Sequence, residues 1–265
     1  MNNNIGVISI ATNVYLDYYF SLLESFKEKC DKFDNITFYL FTDRIEDALF
    51  FVRNNQLSNV VVINIPNYSW PEATLLRFQV ISENKLSFSE ECLVYIDADM
   101  QVEKDPIPFF EESKNSMSLI RHPGYYYNFS FKYLFFSIRN LRRTLSHFKL
   151  LITRGRIGAW DECKSGLAFV PFFKARHYFC GGIWFGKKEI FLNMCQILAE
   201  RTSKGLMDNF MPIWHDESYV NWYASTSEIC ELTPILCADG KIDSLYNGDI
   251  YIRAVDKPVL GFHGN

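Results

Sequence analysis

Leu93-Val-Tyr-Ile-Asp-Ala-Asp99 is a short apolar run that passes directly into two carboxylates. Its Val, Tyr and Ile suit a buried strand, and the aspartates mark where that strand ends. The pattern recurs upstream in Ile5–Ala11, Ile36–Phe41 and Val60–Ile65, with stretches of helical spacing between, at about Tyr15–Cys30, Glu46–Asn54 and Thr74–Lys85. Strand and helix alternating in this way predict right-handed β-α-β units. The fold class is therefore α/β, with a Rossmann-like, mostly parallel sheet flanked by helices. In such sheets ligands bind beyond the carboxyl ends of the strands. That singles out Ala11-Thr-Asn13, Thr42-Asp43 and Asp97-Ala-Asp99.

Carboxylates at i and i+2 of an extended chain share one side. Asp97 and Asp99 can thus face one divalent cation, a hard ion that takes oxygen ligands. With diphosphate oxygens completing its shell, such an ion neutralises charge on a nucleotide leaving group. Two other readings suit the same pair. One is a solvated turn at a strand end, where Asp is common. The other is a phosphatase of the haloacid-dehalogenase type, which also sets D-x-D after an apolar strand. Against the phosphatase stand Gln101, where that family usually has Thr or Val, and a motif far from the N-terminus.

A second dense cluster is Trp214-His-Asp-Glu-Ser218, followed by Asn221. An indole offers a flat apolar face and its polar neighbours can bond hydroxyls, a combination suited to sugars. Acidic residues also gather in the first turn of helices for capping and dipole reasons. Both readings stand on these residues alone.

The chain as a whole has 265 residues, 48% of them apolar and 22% charged, which makes it globular rather than disordered. A net charge of −4 and a pI near 5.8 argue against nucleic acid as a partner, since phosphate binding needs a basic excess. Seven cysteines, with no C-x-x-C pair, suit neither a zinc ribbon nor a disulfide framework and point to a reducing compartment. Met1-Asn-Asn-Asn leads straight into the first apolar run, and no window of about 20 apolar residues follows. The expectation is a cytoplasmic protein. No Pro/Gly/Ser linker divides residues 1–265, which are expected to form one domain.

One segment differs in composition. Between Ser113 and Trp160 there is no Asp or Glu, whereas Lys114, Arg121, Lys132, Arg139, Arg142, Arg143, Lys149, Arg154 and Arg156 are basic. Aromatic and aliphatic residues interleave with those charges over Phe129–Phe136 and Leu145–Ile152. A helical insertion at about 129–160 follows. It is either a peripheral contact with an anionic membrane face or a surface hairpin packed by its apolar side.

Several separated motifs together resemble glycosyltransferase family 6, which holds the blood-group A and B transferases, the α-1,3-galactosyltransferases and shorter bacterial members. In order they are Phe41-Thr-Asp43, Trp70 with Leu76-Arg-Phe78, Asp97-Ala-Asp99, His122-Pro-Gly-Tyr125, Leu167-Ala-Phe-Val-Pro171, Cys180-Gly-Gly182 and Trp214-His-Asp-Glu-Ser218. The resemblance implies a GT-A fold, a UDP-galactose or UDP-N-acetylgalactosamine donor, and α-1,3 transfer with retention to a galactose-containing acceptor, plausible forms of which are fucosylated or lipid-linked. It implies that Asp97 and Asp99 hold Mn²⁺, with Ala98 between them in the donor site. Ile10, Ala11, Thr12 and Tyr15 resemble the uracil-contacting loop. Arg77, Cys180, Gly181, Gly182, Asp216 and Lys257 resemble further donor contacts. His122, Trp214, His215 and Asp239 resemble acceptor contacts.

Glu217 resembles the carboxylate that acts either as nucleophile or as stabiliser of an oxocarbenium-like transition state. Its plain alternative is a capping or packing Glu. Small Gly182 tilts the donor toward N-acetylgalactosamine, because bulk there would overlap an N-acetyl group; a Gly-Gly turn that only serves backbone geometry is the other reading. Four departures from the family are Asp97-Ala-Asp99 where many bacterial members have Asn-x-Asn and work without metal, the long insertion, Trp160-Asp-Glu-Cys163 where basic residues are usual, and His263 in place of a second basic residue in the tail. A catalytically silent sugar-binding module of the same fold is the competing function.

Overall fold

The computed structural model of the protein describes residues 4–68, 71–112, 116–128, 130–240, 242–246 and 249–255. Trp70, Lys114, Phe129, Lys257 and His263 lie outside the described residues. The strands are β1 (Ile5–Ile10), β2 (Ile36–Thr42), β3 (Val60–Asn64), β4 (Cys92–Ile96), β5 (Met100–Val102), β6 (Met117–Arg121), β7 (Phe179–Lys187), β8 (Ile229–Leu232) and β9 (Ile252–Ala254). The helices are α1 (Tyr15–Lys29), α2 (Ile45–Asn54), α3 (Glu72–Leu75), α4 (Arg77–Glu83), α5 (Ile107–Glu112), α6 (Phe131–Arg139), α7 (Leu141–Arg154), α8 (Lys188–Met207), α9 (His215–Thr226) and α10 (Asp243–Tyr246).

Seven strands form one sheet in the order β3-β2-β1-β4-β7-β6-β8, and β5 pairs with β9 in a small second sheet. Neighbours in the large sheet are parallel except across β7, which runs antiparallel to both β4 and β6. Six strands thus point one way, and this is the arrangement expected of the GT-A fold. The reversal has a direct consequence. The entry end of β7 lies at the carboxyl edge of its neighbours, where Ile183 faces Ile96 and Phe179 faces Arg121.

Apolar residues on both faces explain the burial of the central strands. Ile5 and Val7 of β1, with Val94 and Ile96 of β4, pack on one side against Leu16, Leu23 and Phe26 of α1. Ile8, Leu93 and Tyr95 point the other way, against Phe78 and Ile81 of α4 and Phe191 and Leu198 of α8. Period two then carries Asp97 to the side of Tyr95, under α4 and α9. The four expected strands agree with the observed ones to within a residue. The helix expected at about Thr74–Lys85 is instead broken at Leu76 (φ −84°, ψ −2°), so α4 begins at Arg77.

Trp184 of β7 is wholly buried beneath this edge. Its ring stacks on Tyr95 at 4.8 Å and on Phe191 at 4.6 Å, and its Nε1 donates to the Gly181 carbonyl at 3.2 Å. Trp184→Ala removes that volume and the indole donor together. We expect a loss of about 3–5 kcal/mol in chemical denaturation.

Candidate active site

The first loop after β1 is shaped by hydrogen bonds rather than by burial alone. Asn13 adopts a left-handed φ of 53°, and its N–H donates to Asp43 Oδ1 at 2.9 Å. Its side chain exchanges hydrogen bonds with that of Asn67 at 2.8 and 3.1 Å. Asp43 of the Phe-Thr-Asp motif therefore serves as an anchor for the loop. Ala11 and Thr12 are buried in it, and Tyr15 is 38% exposed at the start of α1. Ile10 ends β1, and Ser9 before it donates its hydroxyl to the Ile96 carbonyl at 2.8 Å, which ties this loop to Asp97-Ala-Asp99.

The centre of the site is Arg77, buried to 6% exposure at the first turn of α4. Its Nη1 lies 3.1 Å from Asp97 Oδ1 and 3.0 Å from Asp216 Oδ2, and donates to the Gly181 carbonyl at 3.2 Å. Its Nε donates to Thr74 O at 3.1 Å, and the guanidinium lies 4.8 Å over the Tyr95 ring. Burial pushes Arg77 toward its neutral form, but Asp216 and Asp97 outweigh that and hold the guanidinium above its ordinary pKa. Tyr95 OH donates to the same Asp97 oxygen at 2.7 Å. One carboxylate is thus fixed by two donors.

Glu217 stands beside this pair. Its Oε2 accepts the Gly181 N–H at 3.0 Å and lies 4.0 Å from His122 Nε2. Asn221, one helical turn further along α9, donates to the Glu217 carbonyl at 2.9 Å and clasps both backbone groups of Phe179 at 2.8 and 2.9 Å. Desolvation raises the carboxyls of both Glu217 and Asp216 to about 7. The neighbouring Tyr178 hydroxyl and the Gly181 N–H oppose that rise for Glu217, and Arg77 opposes it for Asp216. The His122 ring accepts the Gly124 N–H through Nδ1 at 2.9 Å, which leaves the Nε2 proton facing Glu217.

The Trp-His-Asp-Glu-Ser run is the first turn of α9, so the helix-terminus reading of its acidic residues is correct in geometry, and the helix dipole favours both carboxylates there. It nevertheless also builds the cleft. Trp214 N–H donates to Ser218 Oγ at 3.1 Å, and His215 is held at φ 43°, a strained value for a residue with a Cβ. The Trp214 ring stays half exposed.

Cys180-Gly181-Gly182 enters the site from β7. A Cβ on Gly181 would stand 2.9 Å from Asp216 Oδ2, and one on Gly182 would stand 2.6 Å from Met100 Cε and 2.9 Å from Asp97 Oδ2. The protein's own carboxylates fill that space. The glycines are accounted for by this close approach, and the inference of room for an N-acetyl group loses its support. Cys180 is buried against Cys237.

The fold therefore brings together Arg77, Asp97, Gly181, Gly182, Asp216, Glu217 and His122. Ala98 is buried between the aspartates, and Asp99 lies within electrostatic reach of Arg77. Asp239 follows the bridge between Ala238 and Arg253, with Oδ1 buried and without a hydrogen bond among the described residues. The sequence reading missed Tyr95 and Tyr178. Tyr95 was within reach, because it stands two residues before Asp97 on the same strand face. Tyr178 had no local signal.

Two carboxylates share one buried guanidinium, so removing it strands both. We expect Arg77→Met to destabilise the fold by about 3–5 kcal/mol in denaturant titration.

No protein-family model matches the chain. Over 263 residues it is 26% identical to O-antigen biosynthesis glycosyltransferase WbnI of Escherichia coli, with 98% of each chain covered. Over 226 residues it is 22% identical to histo-blood group ABO system transferases 2 and 1 of Rattus norvegicus, which takes in 84% of this chain and 59% and 57% of theirs. Relatives from O-antigen and blood-group synthesis together bear out the resemblance of the sequence to glycosyltransferase family 6.

Proposed function

We propose that the chain is a retaining glycosyltransferase. It moves galactose or N-acetylgalactosamine from a UDP-sugar to the 3-OH of a galactose-containing acceptor and forms an α-1,3 linkage. The observation that carries this reading is the placement of Glu217. It lies beside Arg77, Asp97 and Asp216 at the carboxyl edge of the sheet, held by the Gly181 N–H.

Four carboxylates (Asp97, Asp99, Asp216, Glu217) gather here around one guanidinium, an excess of negative charge that would repel a diphosphate. The donor set is all oxygen and suits a hard cation. Asp97 and Asp99 would hold it, and Tyr95 orients Asp97 for that task. Among the described residues no three His, Cys, Asp or Glu side chains converge as a metal cage, so the remaining ligands fall to the nucleotide and water. A bound Mn²⁺ supplies charge neutralisation for the departing diphosphate.

The residues themselves divide the remaining work. Glu217 presents a carboxylate to the anomeric carbon, as nucleophile or as stabiliser of positive charge. Asp216, tied to Arg77, is placed for the hydroxyls of the donor sugar. His122, 4.0 Å from Glu217, and Trp214, whose half-exposed indole offers a stacking face, would take the acceptor. Relatives named for O-antigen and blood-group synthesis support this substrate class.

UDP release from UDP-galactose and UDP-N-acetylgalactosamine, with a galactoside acceptor, tests the reading. Binding of donor without turnover on any galactoside would instead mark a silent sugar-binding module. Asp97→Asn should lower activity by roughly 10²-fold or more, and chelation should do the same; full activity in chelator defeats the metal assignment. Glu217 must be ionised to act, and its carboxyl is raised to about 7. The value of kcat/KM should therefore climb between about pH 6 and pH 8. Glu217→Gln should remove its own share of that limb, which Asp216 also enters, and cut turnover while UDP affinity stays within about twofold.

A further inference from the structure

The acid-free segment folds as the hairpin α6–α7, and its two helices turn large apolar side chains outward. On α6, Phe131, Leu134, Phe135 and Ile138 are 55–81% exposed. Their spacing of i, i+3, i+4 and i+7 makes one stripe. On α7, Leu141, Leu145, Phe148 and Ile152 are 59–71% exposed and form a second stripe. Phe172 extends the surface at the end of α7, where its ring lies against left-handed Gly155 and is itself 63% exposed. The opposite sides of the helices hold the hairpin to the protein. Phe136 and His147 are buried there, Arg143 donates to the Tyr126 carbonyl at 2.8 Å, and Tyr133 OH donates to the same carbonyl at 2.9 Å. The apolar stripes are therefore not the packing face, as a purely structural hairpin would require.

Cations border both stripes. Lys132 and Arg139 on α6, and Arg142 and Lys149 on α7, are exposed and stand about a quarter turn round from the apolar residues. A second copy of the chain is a poor occupant, because it would set this acid-free, basic segment against itself in a protein whose net charge is −4. Exposed aromatic and aliphatic side chains bordered by lysine and arginine match the boundary of an anionic lipid bilayer, where apolar groups enter the acyl region and cations meet headgroup phosphates.

We propose that the α6–α7 hairpin is a docking surface for an anionic membrane, with Phe135 and Phe148 among the inserting side chains and Arg142 and Lys149 among the headgroup contacts. Among the described residues no helix is long and apolar enough to cross a membrane, so the contact is peripheral. Docking also bears on the site. His147 Nε2 lies 2.9 Å from the Gly124 carbonyl, in the turn whose His122 faces Glu217, so the membrane-bound element grips the acceptor side of the cleft.

Co-sedimentation of the full chain with vesicles tests this without donor or acceptor, so its outcome is separate from that of the transferase reading. The protein should pellet with phosphatidylglycerol–phosphatidylcholine vesicles and stay in solution with phosphatidylcholine alone. Phe135→Glu with Phe148→Glu should lower the partition coefficient about tenfold or more, with the thermal midpoint unchanged because both side chains are exposed. Arg142→Gln with Lys149→Gln should weaken binding several-fold for each cation removed, and 0.5 M salt (roughly) should do likewise. Three results would overturn the proposal: no binding to anionic vesicles, binding that these variants leave intact, or a dimer in solution that the phenylalanine variants dissociate without any vesicle binding.

Discussion

A single guanidinium between two carboxylates organises this protein's cleft. Arg77 reaches Asp97 from β4, Asp216 from α9 and the Gly181 carbonyl from β7, so three separately folded elements meet on one cation. Without it, two partly desolvated carboxylates and the neighbouring Glu217 would face each other across a few ångströms. That repulsion would either open the cleft or force the carboxyls to take up protons. With it, Asp97 is oriented, and Glu217 faces the His122 ring at 4.0 Å instead. Desolvation raises its carboxyl to about 7, as it does that of Asp216 in spite of Arg77.

The surrounding aromatic residues make the arrangement rigid. Tyr95 lies beneath Arg77 and bonds Asp97, and Trp184 stacks on Tyr95 while bonding the carbonyl that Arg77 also uses. Low solvent access strengthens each of these interactions. The same closeness explains Gly181 and Gly182, since any side chain there would displace a carboxylate. Chemistry and packing impose one requirement at these positions.

Much of this was legible in the chain itself. The strand preceding Asp97 follows from hydrophobic pattern, but the expected shared side of Asp97 and Asp99 does not follow from strand geometry, because β4 ends at Ile96 and the Met100 N–H closes a turn on the Asp97 carbonyl at 3.2 Å. The meeting of Arg77 with Asp97 and Asp216 was not, because it depends on a tertiary contact between elements with no common local signal; only the family resemblance marked Arg77. At Gly182 the pattern left two readings open. A glycine leaves space, and sequence does not say which group occupies it. The first turn of α9 likewise carries two roles at once, so its capping and its chemical readings were never exclusive. In the hairpin, amphipathic spacing was plain, but only the fold decides which side of each helix meets the protein.

The reversed strand β7 carries one further consequence. Because it enters the sheet between β4 and β6, the residues that converge on Arg77 come from as far along the chain as Gly181, 104 residues away, and Asp216 beyond it. Such non-local contacts form late and slowly, after chain entropy has been lost over long loops. No early folding intermediate can hold the ring of carboxylates together, and no fragment that ends before α9 contains it. The capacity to bind a charged nucleotide should therefore emerge only in the last steps of folding, which spares the partly folded chain from being trapped by ligand.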